Sequence, residues 1–338
     1  MVDGAAAARG DIPGPGGPEM LANIRLMRRR PPEFLAQCAR GYGPVVRFPI
    51  PKADVVLITD PADVRRVLQA NHTAYGKGTL QYDTLALVTG SGLLASDADV
   101  WRRMRRLLSP AFHRETVDGM AGRISSVSSE WVRRNLSAES TEIDLDDAML
   151  DLSLSIVSET LLGVSFSGRA ELIEAVSEAL RIVVARAQPL TLGDWPPTSG
   201  KRRLDEAIAV VDAAVEDLAS SRRSQPPGAD ALWLLIEALD QGVVSAREVR
   251  DEVVTLIVAG HETVAATLTW TWYLLTQHPQ VERRVQREAD GLPGPETWDA
   301  NTLASLTYTS AVIDECLRLY PPAWVITRRG LEPDVLSG

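Results

Sequence analysis

Five consecutive residues put an acid, an alcohol and a glycine inside one helix: Ala259-Gly260-His261-Glu262-Thr263. Thr263 follows Ala259 by four residues. Its hydroxyl can therefore take the Ala259 carbonyl out of the helix ladder and open the helix locally. Gly260 leaves room for a group to lie against the backbone, although glycine lowers helix stability by about 1 kcal/mol relative to alanine. Glu262 sets an ionisable carboxyl beside that gap, and a buried carboxylate is unfavourable unless it is paired or put to use. Together these residues could deliver protons to a buried cofactor. A plainer reading is a helix with a packing notch, a solvated glutamate and a space-filling threonine. The five residues alone leave both readings open.

Two other pairs carry possible chemistry. Glu315 and Arg318 are three apart and so share a helix face. Such pairs are usually weak surface ion pairs, but Val312, Ile313, Leu317 and Leu319 around this one suggest a buried pair. Trp101 and Arg105 are four apart in Trp101-Arg102-Arg103-Met104-Arg105-Arg106. An indole N–H and a guanidinium on one face make a two-donor site for a carboxylate. The other arginines form either a solubilising face or a basic spot that attracts an acidic partner.

The elements that position these residues read mainly as α-helices with a small β-sheet. Ser245 and Glu248 form a capping box. The helical pattern runs from there to His278, and about 33 residues at 1.5 Å each span roughly 50 Å. Val253, Ile257, Val264, Leu268 and Leu275 supply its apolar stripe. Further helices are expected over residues 32–40, 97–108, 115–135, 144–162 and 307–319, with one opened by Asp60-Pro61. Residues 45–48 and 55–58 read as a hairpin. Residues 76–92 read as loop, and breaks fall at 188–200 and 224–228.

The chain has 338 residues, 45% of them hydrophobic and 24% charged, with a net charge of −10. That is ordinary globular composition. The acidic balance argues against nucleic-acid binding. No apolar run approaches the roughly 20 residues that span a bilayer, so no membrane anchor is expected. Cys38 and Cys316 do not make a disulfide framework. The expected organisation is an irregular segment over 1–30 and one domain over 31–338, in a soluble cytoplasmic protein.

In this order the three constellations resemble one family, the haem-thiolate monooxygenases or cytochromes P450. The family's oxygen-side motif, Ala/Gly-Gly-x-Asp/Glu-Thr, is matched by Ala259 to Thr263, and its E-x-x-R motif by Glu315-Cys316-Leu317-Arg318 with Leu319-Tyr320-Pro321-Pro322 following. Its W-x-x-x-R haem-propionate contact is matched by Trp101 and Arg105, between Gly92-Leu93-Leu94-Ala95-Ser96 and Ser109-Pro110-Ala111-Phe112. Arg328 falls where the family places another propionate-binding arginine. The resemblance runs from about Pro31 to the last residue.

The resemblance implies the cytochrome P450 fold and haem b, with Trp101, Arg105, Ala259, Gly260 and Arg328 at the cofactor. It implies Glu262 and Thr263 as catalytic residues and Glu315–Arg318 as a structural ion pair. The implied reaction inserts one atom of O2 into a small hydrophobic organic molecule, by hydroxylation or epoxidation. Electrons would come from a ferredoxin and its reductase, and the protein would be a monomer of bacterial type, used in secondary metabolism. Residues 78–90 and 188–198, with Val325 and Ile326, are the candidate pocket walls. One departure stands out. The family's iron ligand is a cysteine in a Gly-rich loop near the C-terminus, and no such loop precedes Gly338. No metal ligand is therefore assigned, and the chain reads as an inactive monooxygenase fragment cut before its thiolate. The alternatives are a haem-fold isomerase or dehydratase, and a non-enzymatic helical binding protein. The fragment reading predicts no strong thiolate-type Soret band in the carbon monoxide difference spectrum of the 338-residue chain, and a strong band would overturn it.

Overall fold

A computed structural model describes residues 12–50, 53–136, 142–165, 175, 178–179, 181–182 and 198–336. The chain divides into two units, residues 1–78 with 327–338, and residues 79–326.

The first unit opens with α1 (Gly17–Ala22), α2 (Ile24–Arg29) and α3 (Pro31–Tyr42). The two short helices correct the expectation of irregular chain up to residue 30. Prolines at the starts of α1 and α3 supply a φ already suited to a helix. Strands β1 (Val45–Ile50) and β2 (Ala53–Ile58) pair antiparallel, Val45 opposite Ile58. They cover α3 through Phe34, Cys38, Val46 and Phe48, all buried. α4 (Pro61–Arg65) is capped by Asp60, whose side chain accepts from the N–H groups of Ala62 and Asp63. β3 (Tyr75–Gly76) pairs with β4 (Arg329–Gly330). Asp334 clips this end of the unit together, accepting from Arg66, from Asn71 Nδ2 at 3.1 Å and from the Tyr75 hydroxyl at 2.7 Å. Burial first, and then the bond to Asp334, push the Tyr75 phenol up to about 12.

The second unit is helical: α5 (Leu80–Thr89), α6 (Ala98–Leu108), α7 (Arg114–Gly119), α8 (Ala121–Asn135) and α9 (Leu145–Leu161). Then come α10 (Thr198–Arg223), α11 (Ala231–Asp240), α12 (Ala246–Gln277), α13 (Pro279–Asp290), α14 (Ala300–Ser305) and α15 (Thr307–Leu319). α5 occupies the stretch expected to be loop. The single helix expected over 115–135 is broken after Gly119.

α12 is the axis of this unit. The Ser245–Glu248 box forms in both directions, and Arg103 of α6 also pairs with Glu248. Residues 251–258 are buried on every side of the helix. α9 makes the most extensive contact with it, and α5, α10, α11, α13 and α15 pack around the rest. Val253, Val254 and Ile257 join Leu232, Leu235, Ile236, Leu218, Met104 and Leu108 in the main core. By length and composition α12 could cross a membrane, contrary to the expectation from the sequence. In this fold it is the core helix.

Close approaches in this packing need glycine. Gly163 (φ +63°) and Gly228 line a buried ion pair, Arg222–Asp230. Arg222 Nη2 lies 2.7 Å from Asp230 Oδ2, donates through Nη1 to the Pro226 carbonyl, and stacks 4.9 Å from the Trp233 ring centroid. Asp230 also caps α11 by accepting from Trp233 N–H. Another close approach is α9 against α12, where a Cβ on Gly260 would lie 2.8 Å from Val157 Cγ2.

Asp230→Ala strands a buried guanidinium and removes a helix cap, so it is expected to lower unfolding free energy by about 3–5 kcal/mol in urea titrations. Gly260→Ala is expected to destabilise the protein by about 1 kcal/mol, because the clash with a stiff valine outweighs the gain in helix propensity. In a Val157→Ala background the same change should become stabilising. A double-mutant cycle reads the reversal of sign, and additivity would refute the close contact.

Candidate active site

Along α12 the environment changes abruptly at the acid–alcohol motif. The helix is enclosed through Val258, and then Ala259, Glu262, Thr263 and Val264 are exposed while His261 and Ala265 stay buried. The helix thus turns a small-residue face outward and keeps its packed face on α9. On that packed side, Ser153 Oγ donates to the His261 carbonyl at 3.0 Å, and Val157 fills the notch at Gly260.

Thr263 makes the backbone contact that its spacing suggests: Oγ1 donates to the Ala259 carbonyl at 2.7 Å. Thr267 and Thr271 repeat the pattern toward Thr263 and Thr267, at 2.8 and 2.7 Å. These hydroxyls form a row along the helix at four-residue steps. Each keeps lone pairs free to accept from a ligand or water. Surrounding protein, and secondarily the Asp146 charge on α9, raise the Glu262 carboxyl above its ordinary value. His261 behaves oppositely. Its imidazole is 1% exposed, neither ring nitrogen has a hydrogen-bond partner among the described residues, and burial pulls it down to about 4.

α15 lies against this half of α12. Cys316 Sγ sits 3.6 Å from the Thr267 carbonyl, and Trp270 stacks on Tyr320 at 4.1 Å. Glu288 of α13 caps α15 from outside, accepting from the N–H groups of Tyr308 and Thr309 at 2.8 Å. Glu315 and Arg318 do pair, with two contacts of 2.6 Å, but both side chains are more than half exposed. This corrects the expectation of burial. The helix buries Cys316, and residues one before and two after it point elsewhere.

α6 presents Trp101 half-buried and Arg105 exposed, four residues apart. The basic spot expected around them is smaller than four arginines. Arg102 pairs with Asp99, and Arg103 with Glu248 and the Val243 carbonyl. Arg105 and Arg106 make no ion pair among the described residues. Arg328 belongs to the first unit, next to β4, where Nη1 donates to the Thr327 carbonyl at 2.8 Å. Of the expected pocket walls, residues 188–197 lie outside the described residues, residues 80–89 are α5, and Val325 and Ile326 lie in chain without regular secondary structure.

Sequence reasoning missed the charges that seat α5 on α12. Arg250 Nη1 donates to the Val88 carbonyl and Nε to Asp212, each at 2.6 Å. Asp251 accepts from Ser91 N–H at 2.8 Å. Gly90 and Gly92 allow this approach, since a Cβ on either would fall within 2.1 Å of Asp251 or Thr255 side-chain atoms. The signal was present in the sequence as Arg250-Asp251-Glu252 directly ahead of an apolar run.

Among curated proteins, the chain is similar to cyclooctatin synthase of Streptomyces melanosporofaciens, 32% identical over 96% of this chain and 72% of the relative. Pentalenene oxygenase of Streptomyces avermitilis is 30% identical over 93% of this chain and 70% of the relative. Protein LUTEIN DEFICIENT 5, chloroplastic, of Arabidopsis thaliana is 30% identical over 88% of this chain. The chain spans about half the length of that plant relative, 53%. The family model for cytochrome P450 matches residues 12–338. The chain belongs to the cytochrome P450 family.

Proposed function

We propose that this chain carries the oxygen-side half of a haem-dependent monooxygenase that acts on a small hydrophobic organic molecule. The observation that carries this reading is the Thr263–Ala259 hydrogen bond, at the point where the core helix opens and beside a carboxyl biased toward its protonated form.

The donor set suits haem. Trp101 and Arg105, one turn apart on α6, would suit one propionate with an N–H and a guanidinium. Ala259 puts little side-chain bulk on the open face, where a flat macrocycle can lie. Neither cysteine suits the iron. Cys38 packs among Phe34 and Phe48, and Cys316 is 1% exposed beneath Thr267. When bound, haem supplies the activation of O2 and the transfer of one oxygen atom.

The chain's own residues handle protons and orientation. Because Thr263 spends its hydroxyl proton on Ala259, the oxygen is turned outward as an acceptor and can fix a water or a protonated ligand. Glu262, the preceding residue, can give up a proton and regain it from solvent. Relatives named for pentalenene oxygenation and for 5-monooxygenation of cyclooctat-9-en-7-ol support a cyclic, alkene-bearing substrate. The exposed Arg105 and Arg106 suit an acidic electron donor of the ferredoxin type. The bacterial relatives support a soluble, cytoplasmic protein used in secondary metabolism.

Thr263→Ala tests this reading in haem-loaded protein supplied with electrons. Product formed per electron pair consumed is expected to fall about tenfold or more, with the electrons recovered as hydrogen peroxide. An unchanged product yield would remove Thr263 from the oxygen side.

A further inference from the structure

Of the four arginines between Trp101 and Leu107, Arg103 is the one with an ion pair to another helix among the described residues. Its Nη2 donates to Oε1 of Glu248, in the first turn of α12. Its Nη1 donates to the Val243 carbonyl, just ahead of that helix, at 3.2 Å. Both acceptors are already fixed. Glu248 Oε2 accepts from Ser245 N–H at 2.8 Å and from Ser245 Oγ at 2.9 Å, as part of the capping box. Val243 N–H donates to the Ala238 carbonyl at 2.8 Å. One carboxylate thus caps α12 with one oxygen and holds α6 with the other. Exposed ion pairs usually gain little because two long side chains must be ordered at once. Here the cap has ordered Glu248 beforehand, and its side chain is only 28% exposed.

The position of Arg103 around α6 gives this contact its use. A helix turns about 100° per residue. Met104 and Leu108 lie in the main core, and Leu107 packs against it. On that spacing Arg103 falls on one flank of the buried arc. Trp101 and Arg105 fall on the other flank, about 180° away. Apolar burial has no preferred direction, so the core contacts alone let α6 roll about its axis. Side chains reach about 5–6 Å from a helix axis, so a roll of roughly 20° moves their tips by about 2 Å. That is enough to break a hydrogen bond. A planar guanidinium with one nitrogen on each of two fixed acceptors resists such a roll.

We propose that Arg103 is a positioning residue for the carboxylate site on α6: its grip on the N-terminal end of α12 sets the roll of α6, and so aims the Trp101 indole N–H and the Arg105 guanidinium together. Arg103 stands on the opposite flank from that pair and acts through the helix. The start of α12 and the donor pair are thereby joined through one side chain. That the carboxylate is a haem propionate rests on the monooxygenase reading, whereas the aim of Trp101 does not.

The first test needs no haem. The indole N–H of Trp101, assigned by its loss in Trp101→Phe, is followed by NMR in the purified chain. Arg103→Gln should shift and broaden that signal and leave the indole signal of Trp131, on α8, in place. Arg103→Lys supplies one ammonium where two nitrogens stood, and should move the Trp101 signal less. An unmoved Trp101 signal in folded Arg103→Gln protein overturns the proposal. Should that variant not fold, an unmoved signal in Arg103→Lys does so. The second test titrates haemin, and haemin dimethyl ester with its carboxylates blocked, by absorbance. Arg103→Gln should raise the Kd for haemin about three- to tenfold and leave that for the ester unchanged. In an Arg105→Ala background the loss for haemin should be much smaller. Equal losses for haemin and ester would make Arg103 a contributor to general stability alone, and overturn the proposal. If Arg103→Gln moves the Trp101 signal but the parent chain binds haemin and ester equally, the aiming of Trp101 stands and the haem reading of the pair fails.

Discussion

A helix buried on every side must bring its own charge compensation. Residues 251–258 of α12 are enclosed, and two of them, Asp251 and Glu252, are acids. Burying an acid there is tolerable only with partners at hand. Arg250 supplies one, lying 3.2 Å from Asp251 while also holding Asp212 of α10 and the Val88 carbonyl of α5. Asp251 then satisfies the N–H of Ser91, beyond the end of α5. One arginine and one aspartate thus join three helices and a loop. Leucines at these positions could fill the same space, but they would leave the Ser91 N–H and the Val88 carbonyl without these bonds. Gly90 and Gly92 follow from this arrangement, because the chain passes too close to Asp251 and Thr255 for any side chain.

The same helix then opens, and the change of environment decides which of its residues can react. From Asp251 to Val258 every side chain has protein neighbours all round. From Ala259 onward one face is committed to α9 and the other is not. Gly260 belongs to the committed face: what lies against it is Val157. The packing reading of this glycine is therefore sufficient by itself, and any contact with a cofactor would come from the backbone rather than from the notch. Thr263 belongs to the open face. Its hydroxyl is oriented before any ligand arrives, since the Ala259 carbonyl already accepts its proton. An acceptor fixed by the backbone needs no reorganisation when a polar group approaches.

Much of this could be read from residue types and spacing, where the physics is local. The Ser245–Glu248 box, the bounds of α15 and the β1–β2 hairpin depend on contacts within a few residues, and they stand as expected. So does the Thr263 back-bond, a four-residue contact. Tertiary features were less legible. α5 shows no periodic face of its own, and its last turn is held by Arg250 from 162 residues away. The apolar neighbours of Glu315 and Arg318 suggested burial. A helix three residues wide in projection can bury Cys316 and still leave both charges outside. The reach of Asp230, which caps α11 and neutralises Arg222 at once, depends on a turn whose shape no spacing encodes. The row of threonines at 263, 267 and 271 was visible as a four-residue repeat, but its meaning depended on knowing which face stays open.

His261 and Glu262 are adjacent, yet burial moves them in opposite directions: the imidazole down to about 4, the carboxyl up. The cause is common to both. Displacing water penalises whichever form is charged, which is the protonated histidine and the deprotonated glutamate. Both shifts disfavour the charged form, although a base and an acid stand side by side. The two differ in access. His261 is sealed between α12 and α9, so its lone pair cannot exchange protons with anything outside without parting the helices. Glu262 lies on the open face, and can lose its proton without any helix moving. A group in that position can cycle between charge states at small conformational expense, and this distinguishes Glu262 from the other buried or half-buried acids of the helix. Asp251 is tied to Arg250 and Ser91, and Glu248 is fixed by the cap and by Arg103. Glu262 is thus placed for exchange, whereas Asp251 and Glu248 serve structure.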